Sequence, residues 1–192
     1  MYTNTHLVFG FHGCDISIAE KILKSDTEEL AKSDNPYDWL GTGIYFWEND
    51  PVRALEYAKE LQGKSYVKSK ISTPAVVGAI IDLKNCLNLL NRKYLKLLEE
   101  SYIRLKILHE NANLNMPEND EKLSRRFLDR AVIELIHSKT HDLDNTDFDT
   151  VRSVFWEGND LYPNAGFKSK NHIQICVRNH NCIKGYFRPR GL

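Results

Sequence analysis

Two short segments near the start of the chain combine residue types suited to binding a flat, polar ligand. Phe11-His12-Gly13 ends an apolar stretch, and Gly41-Thr42-Gly43-Ile44-Tyr45-Phe46 follows about thirty residues later. A glycine has no Cβ, so its backbone can approach a ligand closely. A tyrosine ring offers a flat face for stacking, and a histidine adds a hydrogen-bonding group. Together the two segments favour a ligand that carries an aromatic ring with polar substituents.

Length and composition are typical of one soluble globular domain. The 192 residues, with 42% hydrophobic and 27% charged side chains, are enough to bury a sizeable core. Lys plus Arg and Asp plus Glu both number 26, so the formal net charge is zero. This balance gives no whole-protein attraction to nucleic acids or membranes. No apolar run is long enough to cross a bilayer, so we expect no membrane association.

The cysteines and the start of the chain predict a cytoplasmic protein. The four cysteines are scattered, and Met1 leads directly into a polar segment rather than a signal peptide. Reduced thiols are the simplest interpretation. A metal site could be built from nearby residues, but their spacing fits no standard zinc pattern: His172, Cys176, His180 and Cys182. We therefore predict no metal.

Hydrophobic periodicity predicts an α+β fold with a mixed or antiparallel sheet. Strands are predicted at residues 7–12, 43–47, 75–83, 151–156, 172–178 and 182–187. Helices are predicted at residues 15–23, 51–63, 87–109 and 121–137, and loops at 25–40 and 142–149. Asp15 is a predicted N-cap, and Asp50 before Pro51 is a strong helix start. The stretch from about residue 86 to 138 resembles a helical insertion into a β-rich core.

The two opening motifs, taken in this order, resemble the ADP-ribosyltransferase superfamily. His12-Gly13 followed by the segment Gly41–Asp50 and a helix is similar to the branch that includes the poly(ADP-ribose) polymerase catalytic domain, the His-Tyr-Glu type. The resemblance extends into Ala54-Leu55-Glu56-Tyr57 and covers about a third of the chain, while only the order of elements supports the remainder. It implies a single ADP-ribosyltransferase-like domain, a split β-sheet core, and NAD⁺ as co-substrate.

The resemblance also implies roles for individual residues. His12 would hydrogen-bond a ribose hydroxyl of NAD⁺, and the backbone of Gly13 would bind the nicotinamide carboxamide. Tyr45 and Tyr57 would hold the nicotinamide ring between them. Gly43 belongs to the glycine-rich strand start that would line the same site.

Three arginines are candidates for holding the pyrophosphate of NAD⁺ as forked donors. Arg53 lies one turn from Tyr57 on the helix that would flank the dinucleotide. Arg152 and Arg178 are alternatives. Surface salt bridges with the acidic loop at 142–149 explain these last two arginines equally well.

The third element of the family is usually a glutamate near the start of a late strand. The matching segment, residues 172–177, contains no carboxylate. His172 and Gln174 share one face of this strand, because alternate strand residues point to the same side. We favour Gln174, with His172 beside it, as the ligand of the ribose 2′-hydroxyl. Glu157 would restore a carboxylate from a neighbouring strand end, although a surface glutamate is the more ordinary interpretation.

The missing carboxylate has a chemical consequence. Cleavage of the nicotinamide–ribose bond develops positive charge on the sugar, as in glycoside hydrolysis. A fixed negative charge stabilises that state by a few kcal/mol. A neutral glutamine orients the ribose but gives up most of this stabilisation. Transfer of a single ADP-ribose unit therefore fits this chain better than polymer synthesis.

The C-terminal part of the chain is locally basic. No acidic residue follows Asp160, whereas six basic residues do: Lys168, Lys170, Arg178, Lys184, Arg188 and Arg190. This segment either faces an anionic ligand, such as a dinucleotide or a polynucleotide, or is a solvated edge balanced by acidic residues folded beside it.

We therefore expect a mono-ADP-ribosyltransferase of bacterial type that transfers ADP-ribose from NAD⁺ to a macromolecular acceptor, either protein or nucleic acid. Its role would be that of a toxin or phage-defence effector, and an antitoxin partner could bind the helical insertion. A catalytically inactive module that binds NAD⁺ or ADP-ribose is the alternative, favoured by the absent glutamate. An RNA 2′-phosphotransferase shares the fold, but the Gly-Ile-Tyr-Phe segment is not its signature.

Overall fold

The computed structural model describes residues 7–64, 70–142 and 147–192, which form seven strands and four α-helices. The strands are Leu7–Asp15 (β1), Ile44–Glu48 (β2), Pro74–Asp82 (β3), Cys86–Asn88 (β4), Thr150–Phe155 (β5), His172–Val177 (β6) and Ile183–Phe187 (β7). The helices are Ile16–Leu23 (α1), Pro51–Leu61 (α2), Arg92–Asn111 (α3) and Phe127–Asp142 (α4). The predicted α+β class is confirmed. The polar N-terminal segment and residues 143–146 of the predicted acidic loop lie outside the described residues.

All seven strands belong to one sheet, in the order β4-β5-β6-β2-β1-β3-β7. Neighbouring strands are antiparallel except β4 and β5, which are parallel. The seven described strands therefore form one continuous sheet, without the split core that the resemblance implies. The feature closest to a split is the ladder between β1 and β2, which in the described part of the chain pairs only Gly10 with Glu48 and Phe11 with Trp47.

The two faces of the sheet are covered differently. On one face, Ala19 and Ile22 of α1 pack onto buried strand residues, among them Ile44, Phe46, Val77, Ile175 and Val177. The other face carries two separate apolar clusters. The first lies beneath α2 and contains Phe11, Trp47, Ala54 and Val76. The second lies beneath α4, with α3 packed outside it, and includes Leu87, Ile133, Ile136, Val151 and Cys176.

Asp15 connects three elements at the end of β1. Its carboxylate accepts hydrogen bonds from the backbone N–H of Ser17 at 3.0 Å, as the predicted N-cap of α1. It also accepts from the N–H groups of Ser72 and Thr73, at 2.7 and 2.9 Å, just before β3. The Thr73 N–H, with the groups of Ser17 and Ser72, holds the pKa of Asp15 well below its usual range.

Two predicted helices begin later than the sequence indicates. Residues 86–88 form β4, because the fully buried Leu87 pairs with Val151 of β5. α3 then begins at Arg92, after the N-cap Asn91. α4 begins at Phe127, since residues 121–126 form turns in which Asp120 accepts from the backbone N–H of Ser124. The predicted helical insertion therefore also supplies the edge strand of the sheet.

The cysteines are buried or half-buried thiols. All four are unpaired, and burial raises the pKa of Cys176 to about 12 and that of Cys14 to about 11. Within the described ranges, no group of three or more His, Cys, Asp or Glu side chains is placed to hold a metal ion. In the same part of the chain, no helix is both long and apolar enough to cross a membrane.

Candidate functional site

Gln174 lies between the two apolar clusters, in the middle of a row of side chains that crosses three strands. It pairs with Ser153 of β5 on one side and with Trp47 of β2 on the other. Directly paired residues point to the same face, so these three side chains share the face covered by α2 and α4. The indole N–H of Trp39, in the loop before β2, donates a 2.9 Å hydrogen bond to Oε1 of Gln174.

His172, two residues earlier on β6, is enclosed by aromatic rings. Its ring centroid lies 5.2 Å from that of Phe155 and 6.0 Å from that of Trp47, and its side chain is 1% exposed. Its Nδ1 donates to the carbonyl oxygen of Lys170 at 2.6 Å. Burial lowers the pKa of His172, which favours the neutral ring with the proton on Nδ1. Nε2 is then a buried acceptor without a hydrogen bond to any described residue.

A buried arginine and a half-buried glutamate meet beside this histidine. One terminal nitrogen of Arg53 donates to both carboxylate oxygens of Glu157, at 2.8 and 2.9 Å. The Arg53 side chain is 4% exposed and that of Glu157 30%. Glu157 Oε2 lies 3.8 Å from Nδ1 of His172. Arg53 also contacts Glu60 of α2, at 3.3 Å.

The expected role of Arg53 in pyrophosphate binding does not match these contacts. Its guanidinium is enclosed by carboxylates of its own chain, because Glu157 and Glu60 both reach it. A cation whose charge is already balanced in this way attracts a phosphate weakly. Arg53 therefore holds Glu157 in place rather than presenting a free charge to a ligand.

The two tyrosines expected to hold nicotinamide have different neighbours. Tyr57 of α2, 36% exposed, lies over Trp47, with ring centroids 4.8 Å apart. Tyr45 packs into the cluster beneath α4. Its hydroxyl donates to the carbonyl of Gly41 at 2.8 Å and accepts from the N–H of Leu40 at 3.1 Å. Burial raises the pKa of this hydroxyl well above its ordinary value. Tyr45 thus fixes the loop that carries the indole bound to Gln174.

His12 occupies the place where β1 and β2 separate. Its ring packs edge-on against Phe46. In the β1–β3 ladder, His12 is paired with Val77, whose side chain lies on the α1 face of the sheet, so the imidazole lies on that face too. The side chains of Tyr45 and Gln174 point to the opposite face. The Nδ1 of His12 reaches the carbonyl oxygen of Tyr45 at 2.8 Å. Burial lowers the pKa of His12, so the neutral ring keeps Nε2 as an acceptor.

Both glycines assigned to the site are required by packing. A Cβ placed on Gly13 would overlap the backbone carbonyl oxygen of Ala54 in α2. A Cβ placed on Gly43 would overlap Sγ of Cys176 and approach the carbonyl oxygen of Val177 to 2.7 Å. The backbone of Gly43 is also bonded to Ser33 in both directions. The sequence predicted that a ligand would approach these glycines closely. In the structure, atoms of Ala54, Cys176 and Val177 occupy that space.

The two other candidate arginines and three of the C-terminal lysines form ion pairs with carboxylates. Arg152 contacts Glu48 of β2, and Arg178 contacts Glu134 of α4, and neither of these carboxylates belongs to the predicted acidic loop. In the C-terminal segment, further ion pairs join Lys168 to Asp160, Lys170 to Glu60 and Lys184 to Asp82. These contacts favour the interpretation of the segment as a solvated edge balanced by neighbouring acids.

Sequence reasoning missed the aromatic side chains that surround Gln174 and His172. Trp39, Trp47 and Phe155 line this part of the face, and the guanidinium of Arg126 lies 4.8 Å from the Trp39 ring and 4.5 Å from the Phe155 ring. Trp39 and Trp47 flank the glycine-rich segment in the sequence, and this pair of tryptophans is the signal from which the aromatic surroundings could have been predicted. We name the group Trp39, Trp47, Tyr57, Phe155, Glu157, His172 and Gln174 the aromatic site.

A cavity of about 1070 Å³ adjoins the aromatic site between α3, α4 and β5. Of the seven residues of the aromatic site, Trp39 alone lines the cavity, together with the neighbouring Arg126 and Ser153. The cavity does not extend to His12 or Tyr57. Ligand-sized space is therefore found beside Trp39, at the edge of the aromatic site, and Gln174 is not among the residues that line it.

Comparison with known proteins adds one distant relative. The chain is 27% identical over 195 residues to an uncharacterized protein of Methanocaldococcus jannaschii, a match that spans 91% of this chain and 83% of the relative. No family model matches the chain. No solved structure matches it.

Proposed function

We propose that this protein is a mono-ADP-ribosyltransferase that uses NAD⁺ as its substrate. The observation that carries the proposal is the strand order β6-β2-β1, which makes neighbours of the strands bearing Gln174, Tyr45 and His12. The sequence resemblance requires these strands to meet, although they lie far apart along the chain. Their adjacency depends on long-range pairing and is independent of the local motifs that suggested it.

The charge that the reaction needs is available at Glu157. Loosening of the bond between C1′ and the nicotinamide nitrogen gives the ribose oxocarbenium character, and a nearby carboxylate stabilises it. β6 itself offers the neutral Gln174 and His172. Glu157, immobilised by Arg53 and half-exposed, is the carboxylate of the aromatic site. In this proposal Gln174 orients the ribose and Glu157 provides the negative charge.

The remaining groups suit the other parts of the substrate. The half-exposed Tyr57 ring of the aromatic site offers a stacking face for a ring of NAD⁺. His12 lies on the opposite, α1 face of the sheet, and its part is to hold the backbone of Tyr45 through Nδ1. The bond to nicotinamide breaks with both electrons on its nitrogen, and neutral nicotinamide leaves. A nucleophilic atom of the acceptor then bonds to C1′ and loses its proton.

The acceptor in this proposal is a macromolecule, either a protein or a nucleic acid. From the sequence resemblance alone, we also propose that the protein acts in the cytoplasm as a toxin or phage-defence effector and has an antitoxin partner. The neutralised C-terminal lysines give no preference for nucleic acid.

The proposal is tested by incubating the purified chain with NAD⁺ labelled in its adenosine part. Protein, RNA and DNA pools are supplied separately, and both acceptor labelling and free nicotinamide are measured. Labelling of one pool, with stoichiometric release of nicotinamide, supports a transferase and names the acceptor class. Nicotinamide release without labelling indicates hydrolysis. Neither product after prolonged incubation with any pool would reject the proposal.

A second candidate is a module that binds NAD⁺ or ADP-ribose without turnover. Two observations favour it: β6 has no carboxylate, and the Tyr45 hydroxyl is used to hold a loop. Calorimetry that detects NAD⁺ binding, together with unchanged NAD⁺ after incubation, would distinguish this function from transfer.

A further inference from the structure

We propose that Trp39 is a positioning residue that makes Gln174 a hydrogen-bond donor toward the substrate. This inference rests on the proposed function, because it concerns the same site. Trp39 has no role assigned above. Its bond to Oε1 leaves the NH₂ group of Gln174 as the part of the carboxamide that binds a ligand.

The direction of the hydrogen bond follows from the chemistry of the indole. A tryptophan Nε1–H can only donate, so the atom of Gln174 that lies 2.9 Å from it must be the carbonyl oxygen. The amide nitrogen then points away from Trp39 and makes no hydrogen bond to any described residue. A substrate atom bound there must be an acceptor. In NAD⁺ this chemistry fits a ribose oxygen, which would receive an N–H rather than give up its own proton.

Trp39 is held firmly enough to impose this orientation. Its ring lies against Phe155, with centroids 5.0 Å apart, and beneath the guanidinium of Arg126. The loop on either side is fixed by the Tyr45 hydroxyl and by a turn in which the N–H of Gly41 donates to the carbonyl of Asp38 at 2.8 Å. Rotation of the carboxamide would place its NH₂ group against the indole N–H, two donors face to face.

The arrangement differs chemically from a carboxylate at the same position. A glutamate at residue 174 would accept from Trp39 equally well, but its outer oxygen would also be an acceptor. Trp39 therefore lets the neutral side chain of Gln174 present an N–H donor in a fixed direction. The negative charge of the site comes from Glu157.

A double-mutant cycle tests this coupling. We compare nicotinamide release from NAD⁺, as kcat/KM, in the wild type, Trp39→Phe, Gln174→Ala and the double variant. Gln174→Ala removes one neutral hydrogen bond, so we expect a fall of about 10-fold. Trp39→Phe keeps the ring and loses only the N–H, and we expect a fall of about 3- to 10-fold. If Trp39 acts through Gln174, the double variant falls no further than Gln174→Ala alone.

Two controls keep the outcomes distinct. Trp156→Phe, at a tryptophan that is 56% exposed, should retain wild-type kcat/KM. Hydrogen exchange of the Trp39 indole N–H, followed by NMR, should be slow in the wild type and fast in Gln174→Ala, without any substrate. Multiplicative effects in the cycle, or a Trp39→Phe variant with wild-type kcat/KM, would overturn the inference while leaving the transferase intact. A wild-type chain that neither binds nor cleaves NAD⁺ would overturn both.

Discussion

The Nδ1 atom of His12 lies 2.8 Å from the carbonyl oxygen of Tyr45, so a side chain joins β1 to β2 beside the last of their backbone pairs. A carbonyl oxygen can only accept, which places the imidazole proton on Nδ1. The same arrangement recurs at His172 with the carbonyl of Lys170. Both rings have lowered pKa values because they are buried. Burial and the bond to a carbonyl oxygen therefore both favour the neutral imidazole with its proton on Nδ1 at these two positions.

The first prediction concerns acid stability. Burial lowers the pKa of a third histidine, His137, from 6.5 to about 4, with the nearby Arg178 contributing. The folded state then binds fewer protons than the unfolded state, so unfolding becomes more favourable as the pH falls through 6.5 toward 4. At about 1.4 kcal/mol for each pH unit, His137 accounts for a loss of up to about 3 kcal/mol across this window. Denaturant unfolding at a series of pH values measures it.

His137→Gln should flatten this pH dependence, since the variant has no ring to protonate. His109→Gln serves as the control, because His109 lies half-exposed near the end of α3. Equal slopes for the wild type and His137→Gln between pH 6.5 and 4 would contradict the assignment.

The second prediction concerns Gly13. A methyl group there would overlap the carbonyl oxygen of Ala54, and a backbone atom cannot rotate away as a side chain does. We expect Gly13→Ala to lower the free energy of unfolding by about 3 kcal/mol, at the upper end of overpacking effects. Gly185→Ala in β7, where a Cβ meets open space, is the matched control and should change stability little. A stable Gly13→Ala protein would show that α2 does not pack this closely.

The third prediction concerns the Tyr45 hydroxyl. Tyr45→Phe leaves the N–H of the buried Leu40 and the carbonyl of Gly41 without this partner. An unsatisfied buried polar group costs about 1–3 kcal/mol, so we expect a loss of about 2 kcal/mol in guanidinium unfolding. Tyr102→Phe, on the exposed side of α3, removes a hydroxyl at a half-exposed position and should be neutral. Equal stability of the two variants would contradict the role of the Tyr45 hydroxyl in holding the loop at Leu40 and Gly41.

The fourth prediction separates catalysis from packing at Glu157. Both Glu157 and Glu60 contact Arg53. Glu157→Gln and Glu60→Gln therefore each remove one of the negative charges that lie beside the same guanidinium. If Glu157 stabilises the oxocarbenium-like state, Glu157→Gln lowers kcat for nicotinamide release by about 100-fold and leaves KM nearly unchanged. Glu60→Gln should keep most of the activity. Similar losses in both variants would mean that the carboxylates act only by holding Arg53.

Much of the local structure could be predicted, because it depends on residues close together in the chain. Asp15 caps α1, and Asp50 before Pro51 begins α2, since capping involves groups two or three residues apart. The buried strand at 74–82 follows from its apolar run. The helix prediction at residues 87 and 88 was wrong because pairing with β5, more than sixty residues away, overrides local helical periodicity.

The sequence by itself determined the α+β class, most strands and the glycine-rich motifs, since periodicity, caps and residue type are local properties. Tertiary structure alone decided that His12 faces the α1 side, that α2 rather than a ligand lies against Gly13, and that Trp39 meets Gln174 across 135 residues of sequence. The physical reason is that strand order and side-chain orientation arise from long-range pairing. No local pattern records which distant residues will fill the space beside a given side chain.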